Sequence, residues 1–166
     1  MDRGAAEPAE ILDTGVSAQP RIRNASLVEP LADVIDLIED RLEACRNLVA
    51  ASLSLSLGDR EGAGFVRYPS GGFYKPHRDR GDDVQWPAAS RRAAALVIFL
   101  NSSREISRAA GEFDGGNLRL LEPQMEVLIP EAGLLVAFPA GVLHEVTDVH
   151  GGSRDTIVDW FYFRRA

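Results

Sequence analysis

A chain of 166 residues with 45% hydrophobic and 26% charged residues can bury its own core without disulfide or metal staples, and is too apolar for a disordered or fibrous chain. Its formal charge of −7, with 12 acidic and 6 basic residues in positions 1–62 and a near balance of 13 and 12 beyond, offers no basic field for a phosphate backbone, so no nucleic acid partner is expected. The single Cys45 excludes an internal disulfide, and no charged segment followed by an apolar run opens the chain, which points to a cytoplasmic protein. The apolar runs, the longest near Ala93 to Leu100, are too short to span a bilayer, and no membrane partner is expected.

Residues 1–24 mix Ala, Pro, Gly and charge without periodicity and read as a flexible or loosely packed leader with no assigned chemistry; residues 25–166 read as one domain. From Leu31 apolar residues fall at 31, 34, 35, 38, 42, 45 and 48, opposite Asp33, Asp36, Glu39, Asp40 and Arg41, the pattern of one amphipathic helix. Cys45 lies on its apolar face and reads as a buried structural thiol. The period then changes to two: "SLSLSLGD" predicts a strand over Ser52–Leu57, with Leu53, Leu55 and Leu57 on one side.

Further strands are predicted at Gly64–Tyr68, Ala94–Asn101, Asn117–Leu121, Val127–Ile129, Leu134–Phe138, His144–Val146 and Thr156–Phe163, separated by Gly, Pro and Asp turns. Short strands behind one helix suggest a sandwich or jelly roll on helical support. Two irregular stretches, 80–92 and 102–115, are long enough to be lids.

Chemistry concentrates around His77, Arg78 and Asp79. In an extended segment positions i and i+2 point the same way, so the imidazole and carboxylate can converge on one ion while Arg78 turns toward solvent or a lid. An H-x-D tripeptide alone also occurs by chance. His144 follows an apolar strand and a Pro-Gly turn, at the entrance to the next strand. Two imidazoles and a carboxylate on one face of a metal leave other positions open, the arrangement of non-haem Fe(II) oxygenases. Ten residues on, Arg154 offers a planar fork for a carboxylate, or is a surface residue beside Asp155. The third histidine, His150, reads as a solvated turn residue, with a contact behind the metal ligands as the alternative, and the only lysine, Lys75, flanks the metal motif.

In order along the chain, "YPSGGFYKPHRD", "RAAALVIFLN", "GGNL", "FPAGVLHEV" and "GGSRDTIVDWF" resemble the successive motifs of the 2-oxoglutarate and Fe(II)-dependent dioxygenases, in their prolyl 4-hydroxylase-like branch. The resemblance covers about residues 65–163. It implies a mostly β protein with a double-stranded β-helix, the cupin-like jelly roll, packed on the N-terminal amphipathic helix. It further implies that His77, Asp79 and His144 bind Fe(II), that Arg154 binds the distal carboxylate of 2-oxoglutarate, and that Tyr68 lines the co-substrate pocket. Trp160 and Phe99 would form its wall, although core packing alone would also explain Tyr68 and Trp160. Some relatives have a tyrosine where this chain has Phe99, so Arg154 carries more of the carboxylate here. Related halogenases have a small residue at the position of Asp79, and its carboxylate favours hydroxylation.

The activity implied is hydroxylation of an unactivated C–H bond in an amino-acid or peptide substrate. It consumes O2 and 2-oxoglutarate, releases succinate and CO2, and is open to stimulation by ascorbate. No side-chain acid or base is required. Trp86, Arg91 and Arg92 are candidates for substrate contact. The same chemistry on a small natural product, a non-catalytic metal-binding jelly roll, and a zinc site with the same ligands remain the rival readings.

Overall fold

The computed structural model describes residues 6–8, 21–81, 87–108 and 111–165. Its elements, in chain order, begin with strands β1 (Ala6–Pro8), β2 (Arg23–Asn24) and β3 (Ser26–Val28), then helices α1 (Ala32–Ala44) and α2 (Arg46–Leu53). Strands β4 (Leu57–Arg60), β5 (Gly64–Tyr68) and β6 (Phe73–His77) follow. A 3-10 turn at Ala89–Arg91 leads into β7 (Arg92–Phe99), β8 (Asp114–Gly115), β9 (Leu118–Leu120) and β10 (Glu126–Leu128). The chain closes with β11 (Leu135–Pro139), β12 (His144–Val146), β13 (Val149–Gly151) and β14 (Arg154–Phe163).

These strands form two main antiparallel sheets, the double-stranded β-helix. One runs β1-β3-β5-β14-β7-β11, with β4 also paired to β14; the other runs β10-β9-β12-β6-β2, and β13 with β8 makes a small ribbon. Alternation along the strands sorts their side chains into separate cores. From β7, Ala94 and Leu96 join Phe65, Ile157 and Phe161 against Leu42 of α1 and Val49 of α2. The intervening Ala95, Val97 and Phe99 face inward with Leu118 and Phe138. A strand covered on both faces reads as the continuous apolar run seen in "AAALVIFL" rather than as alternation.

Several sequence expectations change. The predicted single helix breaks at Cys45, which ends α1 and begins α2. The core-facing side is Ile35, Ile38, Leu42, Cys45 and Val49, of which Leu42 and Val49 are buried and the others, Cys45 included, half-buried, whereas Leu31, Val34 and Leu48 are exposed. The alternating "SLSLSL" is not a strand: α2 continues to Leu53, and Ser54 stops it in a left-handed conformation with φ 54°. Leu53 and Leu55 still reach the helix-side core, and β structure begins only at Leu57. Hydrophobic contact was therefore read correctly while its periodicity was not, because a helix end and a bend can also deliver every second leucine to one core. In the leader, Ala6–Pro8 pairs with β3, and Arg23–Asn24 pairs with β6.

Arg60 fastens the helices to the central strand. Its guanidinium, almost fully buried, pairs with Glu39 of α1 and stands 3.4 Å from the Asp159 carboxylate of β14. Asp159 also accepts from the backbone N–H of Gly62 at 2.9 Å. Burial pushes the Asp159 carboxyl up despite these partners. Since Phe161 is fully buried at the centre of the helix-side core, Phe161→Ala should lower the unfolding free energy by about 3–5 kcal/mol in a urea titration.

Candidate active site

His77 is the last residue of β6 and His144 the first of β12, and the two are direct cross-strand partners. Pairing brings their rings to 4.1 Å between centroids. Each ring is oriented by its own chain: Nδ1 of His77 lies 2.8 Å from the carbonyl of Lys75, and Nδ1 of His144 lies 3.0 Å from that of Val142. A carbonyl only accepts, so Nδ1 carries the proton and Nε2 keeps its lone pair for a ligand. Tyr74 stacks on His77 at 3.4 Å, and Phe138 meets the edge of His144 at 4.8 Å.

Asp79, two residues beyond β6, completes the group. Its oxygens stand 3.5 Å from Nε2 of His77 and 3.6 Å from Nε2 of His144. The three ligand atoms lie within 4.8 Å of one another. These separations are too long for good hydrogen bonds and suit atoms that share an ion at bonds of about 2.0–2.2 Å. Burial tends to raise the Asp79 carboxyl, but His144, His77 and the nearby Trp160 indole outweigh it and hold the group well below the usual carboxylate range. Burial pushes the His144 imidazole down, toward the neutral form that binds metal.

Arg154 opens β14 opposite Tyr68 of β5. The guanidinium is 1% exposed and sits 4.9 Å from the centre of the Tyr68 ring and 5.1 Å from that of Phe99. Its Nη1 makes a long contact, 3.5 Å, to Thr156 Oγ1, and its Nε has no hydrogen-bond partner among the described residues. The adjacent Asp155 is spent on Arg67 through two hydrogen bonds of 2.8 and 2.9 Å. Burial pushes the Arg154 guanidinium down to about 10. A buried cation with no carboxylate beside it is costly, and a ligand carboxylate would offset that cost. The donor set therefore fits both a metal ion and an anionic co-substrate.

Gly116 makes room for Arg154. Its φ is +64°, and an added Cβ would lie 3.0 Å from Arg154 Cδ, Phe113 and Val149. The neighbouring stretch 102–115 is no loose lid where it is described: Ser103 and Phe113 are buried and bridged to each other. Arg78 turns outward to Glu122, as alternation predicts. The side chain of His150 is exposed, and so is that of Lys75.

Of the residues offered for substrate contact, Arg91 lies over Tyr162 at 4.3 Å, and Trp86 falls outside the described residues. Arg92 is a correction: it is 4% exposed and engaged with Glu61 and Trp160. Three residues near the pocket carried no sequence signal of their role. Arg23 reaches over Tyr74 at 4.6 Å from a segment assigned no chemistry; Thr156 and Glu61 are ordinary strand and loop residues until strand pairing assembles them.

The sequence profile of the 2OG-Fe(II) oxygenase superfamily matches residues 63–162. Among solved structures, the chain is similar to a Pseudomonas putida prolyl-4-hydroxylase, with 31% identity, TM-score 0.66, and coverage of 87% of this chain and 74% of that one. A Trichoplax adhaerens prolyl hydroxylase, solved with a hypoxia inducible factor oxygen degradation domain peptide fragment, shares the fold at 20% identity and TM-score 0.71, covering 95% of this chain and 70% of that one. A viral collagen prolyl hydroxylase from Paramecium Bursaria Chlorella virus-1, in its 2OG complex, does so at 19% and 0.65, covering 87% and 82%. Comparison with curated protein sequences finds no significant match. No helix among the described residues is long and apolar enough to cross a membrane.

Gly116→Ala should destabilise the fold by about 1–3 kcal/mol, the combined effect of positive φ and crowding against Arg154. Chemical denaturation measures it, and an unchanged midpoint would contradict the tight packing described.

Proposed function

The chain belongs to the 2OG-Fe(II) oxygenase superfamily, and from that premise we propose roles for its pocket residues and a class of substrate. The protein is a dioxygenase that uses Fe(II), 2-oxoglutarate and O2. His77, Asp79 and His144 bind Fe(II). Arg154, assisted by Tyr68, holds the distal carboxylate of 2-oxoglutarate, with Phe99 and Trp160 as apolar walls. The observation that carries this reading is the buried Arg154 guanidinium, which among the described residues has no carboxylate of its own, in a chain that also assembles the three-ligand cluster.

When bound, Fe(II) with 2-oxoglutarate supplies O2 activation coupled to decarboxylation, one oxygen atom going to succinate and the other to a substrate C–H bond. The chain supplies placement. The two imidazoles and one carboxylate would hold the ion from the protein side, and a three-ligand set of this kind would leave positions for exogenous ligands. Arg154 fixes the co-substrate through a charge-assisted fork. Tyr74, Phe138 and Phe99 exclude water around this geometry.

We assign an amino-acid or peptide substrate, hydroxylated in the manner of a prolyl hydroxylase. The support is the 31% identity to the Pseudomonas putida prolyl-4-hydroxylase over most of both chains. Incubation with proline-containing peptide and amino-acid pools should give substrate-dependent succinate and a product heavier by one oxygen drawn from O2. Succinate release that no member of either pool stimulates would remove the substrate assignment.

The site assignment has its own test. Anaerobic addition of Fe(II) and 2-oxoglutarate should produce a visible charge-transfer band, absent in Asp79→Ala; well-folded wild-type protein without the band would refute the proposed centre. Arg154→Met should retain Fe(II) binding while weakening 2-oxoglutarate about 10–100-fold, the range for losing a charge-assisted hydrogen-bonded pair. Titration of the band measures this loss.

A further inference from the structure

We propose that Arg92 is a positioning residue for the metal-binding edge, locked by Glu61 and acting on Asp79 and Trp160 without touching the metal. The inference rests on the assignment of Fe(II) to His77, Asp79 and His144. Arg92 begins β7, next to the metal segment in space but not in sequence. Its guanidinium is divided among three tasks. Nε donates to Glu61 Oε2 at 2.7 Å and Nη2 donates to the other Glu61 oxygen, a bidentate pair. Nη1 donates to the backbone carbonyl of Asp79 at 3.1 Å. The flat face lies 3.7 Å from the centre of the Trp160 ring.

Each contact bears on the carboxylate. Asp79 lies beyond the last paired residue of β6, so no sheet ladder fixes its peptide plane. The bond from Arg92 holds the carbonyl edge of that plane, while Arg80 N–H, on its other edge, donates to the Ala140 carbonyl at 2.9 Å, and the two together set the direction in which Cβ leaves the chain. At the other end of the residue, the Trp160 indole lies beside the Asp79 carboxylate. Arg92 packs on that same ring. The carboxylate is thus steadied through its backbone and through its aromatic neighbour by one planar cation. Glu61 makes the arrangement rigid, because two parallel bonds fix the guanidinium plane as well as its position.

A structural ion pair would need only charge and packing. Positioning needs the planar fork, which lysine lacks: an ammonium cannot bond Glu61 twice, reach the Asp79 carbonyl and stack on Trp160 together. Partners of metal ligands commonly change metal affinity about 10–100-fold when altered. The test uses Co(II), whose visible bands report its ligand geometry, titrated into the full chain as wild type, Arg92→Lys, Glu61→Gln and Asp79→Ala, with each variant's melting temperature measured in parallel.

Arg92→Lys should weaken Co(II) about 10–100-fold and shift its bands, and Glu61→Gln should do so more weakly, both in protein that remains folded. Co(II) affinity and spectrum within twofold of wild type, even with a lowered melting temperature, would make the pair merely structural and overturn the proposal. If Arg92→Lys does not fold, Glu61→Gln decides by the same criterion. No Co(II) binding by the wild-type chain would sink the metal assignment itself, an outcome distinct from unchanged binding in the variants.

Discussion

Strand β14 is hydrogen-bonded on both sides, to β5 and to β7, and those two registers set the positions of the residues around Arg154. The β5 register puts Arg154 opposite Tyr68. The β7 register puts Thr156 opposite Phe99 and Trp160 opposite Ala95. Because side chains alternate across a strand, Arg154 and Trp160 share one face while Ile157 and Phe161 enter the helix-side core. A one-residue slip would exchange the two sets and send an arginine into the packed helices. The apolar demand of the helix face thus enforces the polar arrangement of the pocket face.

That coupling explains how the fold keeps so unfavourable a group as the Arg154 guanidinium in place. Its neighbours include the rings of Tyr68 and Phe99, the Thr156 hydroxyl and a second cation, Arg23, while the adjacent carboxylate of Asp155 is committed to Arg67. Core packing on the opposite face of β14 offsets the desolvation. A ligand that binds only the folded chain then adds to stability as well as to function.

Much of the site was legible because its residues obey short-range rules. His77 and Asp79 sit two apart in an extended segment, and His144 and Arg154 begin strands after turns marked by Pro and Gly. The strands Gly64–Tyr68 and His144–Val146 could be read to the residue. Period two misled at Ser52–Leu57, where a helix end imitates a strand, and one continuous apolar face hid the break at Cys45. Arg92, offered for substrate contact, kept its actual partnership hidden for a different reason. Its partners, Glu61, Asp79 and Trp160, are 31, 13 and 68 positions away, and no local pattern distinguishes an arginine that will meet them from one that will face water.

The three candidate metal ligands differ in what orients them. Each imidazole is set by a carbonyl two residues back in its own chain, a bond that closes within a few atoms and survives small movements of one sheet against the other. The carboxylate of Asp79 lies beyond the paired end of β6, and apart from His77 the contacts around its backbone and side chain come from residues distant in sequence, so its alignment is only as good as the assembled barrel. Local breathing therefore acts unequally on the centre. The histidines hold a fixed direction as a property of short peptide segments, while the aspartate makes the geometry of the centre a report on whether the whole domain is closed.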